Sequence, residues 1–184
     1  YRTLWVKEGD PHTLQLIDQR WLPHQFVVEE VGALEEMVVA IREMHVRGAP
    51  LIGVAAAFGM YLSLLKAAPD RSLGSVVEEA ATALKATRPT AVNLAWAVER
   101  QLAAVEGVTS KVKAIQILFE SAKRLADEDV SVCQKIGGHG LQLLQEISGK
   151  KRAKPLNILT HCNAGWLACI DWGTATAPIY RAFD

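Results

Sequence analysis

The sequence predicts an α/β fold: a mainly helical domain over residues 1–150 with a small β-hairpin, then the opening step of a parallel-sheet domain over residues 151–184. Three observations predict it. Two β-like runs, residues 3–6 and 13–17, flank the turn-forming Glu8-Gly9-Asp10-Pro11. Apolar residues then recur at helical spacing from Leu34 to Ile147. Last, the period changes at Leu156-Asn157-Ile158-Leu159-Thr160, a short apolar run of the kind found in buried strands.

Taken in order, Leu34, Met37, Val38, Ile41 and Met44 mark a first helix that ends at Arg47-Gly48. Pro50 suits the first turn of a second helix over residues 51–67. Leu73, Val76, Val77, Ala80, Ala81 and Leu84 form a third stripe that stops before Arg88-Pro89. Thr90 is the expected N-cap of a fourth helix carrying Leu94, Val98, Leu102 and Val105. Ser110 opens a long fifth stretch through Ile115, Leu118, Phe119, Ala122 and Leu125 to Ile136. Gly137-Gly138 is expected to break it, with a shorter helix resuming over residues 139–147. Cys162-Asn163-Ala164-Gly165 reads as the loop after the strand, and residues 174–183 as a closing helix. Strand, loop and helix make a Rossmann-like beginning. One strand cannot make a sheet, so this second domain is expected to be truncated.

Composition narrows the function. Half of the 184 residues are apolar and 22% are charged, enough to bury a core and unlike a disordered chain. Twenty basic residues balance twenty acidic ones, so no long-range field draws the chain to nucleic acid or an acidic membrane. The basic run Lys150-Lys151-Arg152 with Lys154 reads as a solvated linker. Three cysteines without CxxC spacing do not make a disulfide framework, which suits reduced thiols in a cytoplasmic protein. The first residues lack a signal-peptide layout. The apolar run 51–65, interrupted by Gly53, Gly59 and Ser63, falls short of the about 20 residues that span a bilayer, and reads as a buried helix. Tyr1 in place of Met means that Met was removed or that the chain starts downstream of it. No metal is expected: HxxxH, CxxC and carboxylate clusters are missing, and His161 and Cys162 are neighbours that point apart. No GxGxxG follows the strand, so no nicotinamide cofactor is expected either.

Three stretches offer chemistry. Arg47-Gly48-Ala49-Pro50 precedes a helix whose N-terminal N–H groups and dipole would hold an anion, with Gly48 allowing close approach and Arg47 adding a charged donor fork. An ordinary turn with a solvated arginine gives the same pattern. Arg88 lies in a second loop feeding a helix, where it would neutralise the other side of a phosphate or simply sit at the surface. Cys162 occupies the carboxyl end of the expected strand, the usual ligand edge of an open α/β sheet. There a tuned thiol would act as acid, base or polarisable donor, with Asn163 and the Gly165 backbone beside it, and a small packed cysteine is the alternative. Cys133 and Cys169 fall in apolar patterns and read as packing, and His139 as structural. Trp5, Trp21, Trp96, Trp166 and Trp172 read as core or interface anchors.

Together, Val46-Arg47-Gly48-Ala49-Pro50-Leu51-Ile52-Gly53, Ala86-Thr87-Arg88-Pro89-Thr90-Ala91-Val92-Asn93-Leu94 and the ILTHCNAG stretch at 158–165 stand in an order and spacing that carry a resemblance. Leu16-Ile17-Asp18-Gln19 with Leu22-Pro23 adds to it. Throughout its length the chain resembles the amino-terminal half of the methylthioribose-1-phosphate isomerase family, related to the regulatory subunits of translation initiation factor 2B. The resemblance implies isomerisation of 5-methylthioribose 1-phosphate to 5-methylthioribulose 1-phosphate in methionine salvage, without a cofactor. It implies that Arg47, Gly48, Ala49 and Arg88 bind the phosphorylated sugar and that Cys162 is the active-site thiol, either moving a proton or stabilising charge. It also implies a homodimer when full length, a further catalytic aspartate together with a Gln and an Asn-Lys pair downstream of Asp184, and no turnover by residues 1–184 alone. Trp166 departs from the family's small residue, and an indole beside the thiol would suit a different 5-substituent. 5-Deoxyribose 1-phosphate and ribose 1,5-bisphosphate share the 1-phosphate. A non-catalytic regulatory subunit is the rival reading, although such a subunit needs neither the thiol nor the RGAP turn.

Overall fold

Short alternating runs at the start of the chain pair into a sheet because one face of each can be buried. The computed structural model describes residues 1–151, 155–162 and 164–184. In it β1 (Leu4–Val6), β2 (Leu14–Ile17) and β3 (Val28–Val31) form an antiparallel sheet in that order. Leu4 opposes Leu16 and Leu14 opposes Val31, and all four are buried. The expected hairpin is β1–β2, its turn closed by Asp10, whose carboxylate accepts from the His12 N–H at 3.0 Å and the Thr13 hydroxyl at 2.6 Å. The third strand had no clear sequence signal. Its central residues are Glu29 and Glu30, and Glu30 is held by Lys7 at 2.8 Å and Gln15 at 3.0 Å across the sheet.

Helices make up the rest of the regular structure: α1 (Leu34–Arg42), α2 (Ala49–Lys66), α3 (Leu73–Thr87), α4 (Val92–Ala104), α5 (Lys111–Lys150) and α6 (Ala177–Phe183). Ser72 and Ser110 cap α3 and α5 through bonds to the Ser75 and Lys113 N–H groups. The fourth helix is capped at Ala91, one residue past the expected Thr90. At the centre lies α2, buried from Leu51 to Leu64 and packed by α1, α3, α4 and α5. It is long and apolar enough to cross a membrane, yet 78% of it is buried inside the fold. Gln101 of α4, fully buried, donates both amide hydrogens, to the Ala57 carbonyl of α2 at 3.0 Å and the Leu118 carbonyl of α5 at 3.1 Å.

Two expectations need correction. No break occurs at Gly137-Gly138: α5 runs unbroken for 40 residues. The glycines instead let α6 lie close. A side-chain carbon on Gly137 would stand 3.1 Å from the Ala177 carbonyl oxygen, and one on Gly140 would overlap the Pro178 ring. Residues 155–160 form no strand, because the three-stranded sheet is the only one among the described residues and offers them no parallel partner. The basic run is described only in part, with Lys150 ending α5 and Arg152 and Lys154 lying outside the described residues.

Beyond residue 165 the chain folds back on α5 and β1. A 3-10 turn, Trp166–Ala168, leads to Ile170, whose N–H donates to the Asp129 carboxylate of α5 at 2.7 Å. Thr3 donates its hydroxyl to the Cys169 carbonyl at 2.6 Å and its N–H to that of Ile170 at 2.9 Å. Cys133 and Cys169 are both buried beside Asp129, as packing residues should be. Burial pushes the Asp129 carboxyl above the ordinary carboxylate range and both thiols above theirs.

Three substitutions test this packing. Gly140→Ala should cost about 1–3 kcal/mol in urea unfolding by forcing Pro178 away. Gly138→Ala, which meets nothing within 4 Å, should gain about 0.5–1 kcal/mol of helix stability. Asp129 binds its proton more tightly folded than unfolded, so its contribution is present below about pH 4 and is lost as the pH rises through the folded-state value. Asp129→Asn keeps an acceptor for Ile170 and should flatten that loss in unfolding curves taken from acid to neutral pH.

Candidate functional site

Arg47, Gly48 and Ala49 form the entry to α2. Gly48 is the N-cap residue with φ 112°, a conformation that favours glycine, and its carbonyl accepts from the Ile52 N–H at 3.0 Å. No side chain caps this end and no acidic residue stands in the first turn, so the positive end of the buried helix carries no anionic neighbour of its own. Asn93, in the first turn of α4, donates to the Ala49 carbonyl at 3.1 Å. Arg47 is exposed and its Nε donates to the Gln19 side-chain oxygen at 3.4 Å.

The structure joins this turn to the stretch that follows Cys162. A side-chain carbon on Gly48 would collide with Ala168 in the 3-10 turn. Gln19 donates to the neighbouring Leu167 carbonyl at 2.7 Å. Cys162 itself is exposed, and its φ of 69° puts a non-glycine residue in the left-handed region, at a cost of roughly 1–2 kcal/mol. Its carbonyl accepts from the Ala164 N–H at 3.0 Å. Asn163 lies outside the described residues.

Arg88 stands apart from these contacts, at the C-cap of α3. It is half-buried, and its Nη1 is buried without a hydrogen-bond partner among the described residues. A guanidinium nitrogen in that state has an unmet donor, at a cost of about 1–3 kcal/mol. No hydrogen bond among the described residues links Arg88 to Arg47 or Cys162 directly. Its loop runs into α4, whose Asn93 holds Ala49.

The tryptophans divide. Trp5, Trp166 and Trp172 are half-buried, and Trp166 donates to the Tyr1 carbonyl. Trp21 and Trp96 are about half exposed, at 49% and 50%, and anchor less than expected. Trp166 lines a cavity of about 480 Å³ with Tyr1, Asp171, Trp172 and Tyr180.

Two groups with metal-ligand chemistry come together from distant parts of the chain, where local spacing gave no sign of them. In the first, Asp18 holds Arg20 and Trp21, and Glu29 holds the His45 Nδ1 at 2.6 Å, so the carboxylates already have protein partners. Arg20 keeps the Asp18 carboxyl below its usual range. In the second, Asp129, Cys133 and Cys169, burial favours the protonated forms that do not ligate. Sequence reasoning gave Gln19 and Asn93 no role in this site, because each acts on a partner far away along the chain.

Known proteins share this arrangement of elements. The initiation factor 2 subunit family matches residues 45–184. A methylthioribose-1-phosphate isomerase of Desulfatibacillum aliphaticivorans is 45% identical over 184 residues, covering 100% of this chain and 50% of that protein. One of Rhodospirillum centenum is 49% identical over 183 residues, covering 100% and 47%. The crystal structure of 5-methylthioribose 1-phosphate isomerase from Pyrococcus horikoshii OT3 matches 98% of this chain and 49% of its own, with 34% identity and a TM-score of 0.79. That of the translation initiation factor eIF-2B subunit delta from A. fulgidus matches 99% and 51%, with 34% identity and a TM-score of 0.81. The chain thus spans about half the length of the relatives it matches. The match takes in most of the helical body and everything after it, and the chain belongs to the initiation factor 2 subunit family.

Proposed function

We propose that this chain is part of an aldose–ketose isomerase that converts 5-methylthioribose 1-phosphate to 5-methylthioribulose 1-phosphate. The observation that carries the reading is Gly48 seated on Ala168, which sets an uncapped helix N-terminus against the stretch that follows an exposed cysteine. Similarity to isomerases over the whole of this chain supports it. The 1-phosphate would lie at the α2 N-terminus, held by the backbone of Gly48 and Ala49 and by Arg47, and the resemblance adds Arg88, whose Nη1 has no partner among the described residues.

Phosphate on the anomeric oxygen keeps the sugar in its ring. Opening breaks the bond between C1 and the ring oxygen, which takes up a proton. The hydrogen on C2 then moves to C1, the C2 hydroxyl gives up its proton, and a C2 ketone remains. Hydrogen lost by one carbon is gained by its neighbour, so the reaction calls for no electron carrier. Cys162 would hand over or take up a proton, and fixed donors would offset the charge that develops. The full-length protein is read as a cytoplasmic homodimer.

The second reading, a non-catalytic subunit, draws on the equally good match to the eIF-2B subunit delta structure. Turnover decides between them. In the full-length protein, Cys162→Ser should lower kcat at least about 100-fold with circular dichroism unchanged. Arg88→Met should raise KM about tenfold or more by removing a charged donor from the phosphate. Unchanged kinetics in both variants would remove Cys162 and Arg88 from the mechanism, and absence of turnover by wild type would favour the subunit reading. Rates with 5-deoxyribose 1-phosphate and ribose 1,5-bisphosphate, compared in wild type and Trp166→Ala, test whether the indole selects the 5-substituent.

A further inference from the structure

We infer that Gln19 is a positioning residue that sets Arg47 for phosphate and couples it to the turn after Cys162, an inference that rests on the isomerase reading above. Gln19 follows β2 and is only 2% exposed. Three bonds fix it. Its N–H donates to the His45 carbonyl at 2.8 Å, its side-chain nitrogen donates to the Leu167 carbonyl at 2.7 Å, and its side-chain oxygen accepts from the Arg47 Nε at 3.4 Å. One buried residue therefore touches, through its backbone, the approach to the turn and, through its side-chain amide, Arg47 and the segment that follows Cys162.

The chemistry requires an uncharged side chain with a donor and an acceptor at one end. A carboxylate could not donate to Leu167 and would set negative charge against that carbonyl. It would also pair with Arg47 and compete with phosphate for its charge. The neighbouring Asp18 does not compete in this way, because its carboxylate is taken up by Arg20 at 2.7 Å and Trp21 at 3.0 Å. The Nε is the only Arg47 nitrogen with a protein partner among the described residues, which leaves both terminal amino groups to a ligand. Gly48 meets Ala168 next to the Gln19–Leu167 bond, so the same two segments are joined twice.

The test compares wild type, Gln19→Glu and Gln19→Met in the full-length protein. The probes are inorganic phosphate, titrated by calorimetry, and 5-methylthioribose 1-phosphate, followed by turnover. Both variants should weaken phosphate binding about tenfold or more and raise KM by a similar factor, while kcat changes less than about threefold. Gln19→Glu should lower the unfolding temperature, yet lose phosphate affinity at temperatures where circular dichroism shows it fully folded, which a purely structural role would not produce. Phosphate affinity within about twofold of wild type in both variants, or losses that only track the unfolded fraction, overturns the inference. If wild type turns over none of the sugar phosphate, the isomerase reading fails separately, and the phosphate titration alone decides the role of Gln19.

Discussion

Burial of α2 on every side is the constraint that arranges the rest of the molecule. A helix with apolar residues all round cannot be left at a surface, so α1, α3, α4 and α5 must each give up an apolar stripe to cover it. That requirement fixes where its N-terminus emerges. That end opens toward solvent at Arg47 and Ala49, with no side-chain cap and no acidic residue in its first turn.

Placement of the 3-10 turn depends on a second contact of the same element. Because Gly48 lacks a side chain, the turn at Trp166–Ala168 approaches the entry of α2 closely. Thr3 and Asp129 hold the far side of this segment, through Cys169 and Ile170. The left-handed backbone at Cys162 is tolerable where the flanking chain is pinned in this way. Two families of function, an isomerase and an initiation-factor subunit, share this scaffold at similar structural likeness.

Much of the helical body was legible because burial imposes a 3.6-residue period. Leu34, Met37 and Ile41, or Val76, Ala80 and Leu84, announce their helices without help from elsewhere. The start of α2 was legible because glycine and proline mark a helix entry, with Gly48 at the N-cap and Pro50 in the first turn. What stayed hidden was decided across the chain. Strand β3 owes its pairing to Lys7 and Gln15, which no window around Glu30 contains. Gly137 and Gly140 look like helix breakers until α6 lies against them. Residues 155–160 have the composition of a strand and no neighbour with which to be one. The candidate site residues were singled out one by one, but Gln19, which touches two of the segments involved, carries no local mark of that placement.

The buried amide of Gln101 has a consequence for how uniquely the helices pack. Leucine and alanine ridges would mesh almost as well after one helix slides by a turn, about 5.4 Å. Such a slip would carry the amide away from the carbonyls of Ala57 and Leu118 and strand it in hydrocarbon, at about 1–3 kcal/mol for each unmet polar group. A single polar side chain therefore works as a detent, holding α2, α4 and α5 at one axial setting while the surrounding hydrocarbon remains free to vary.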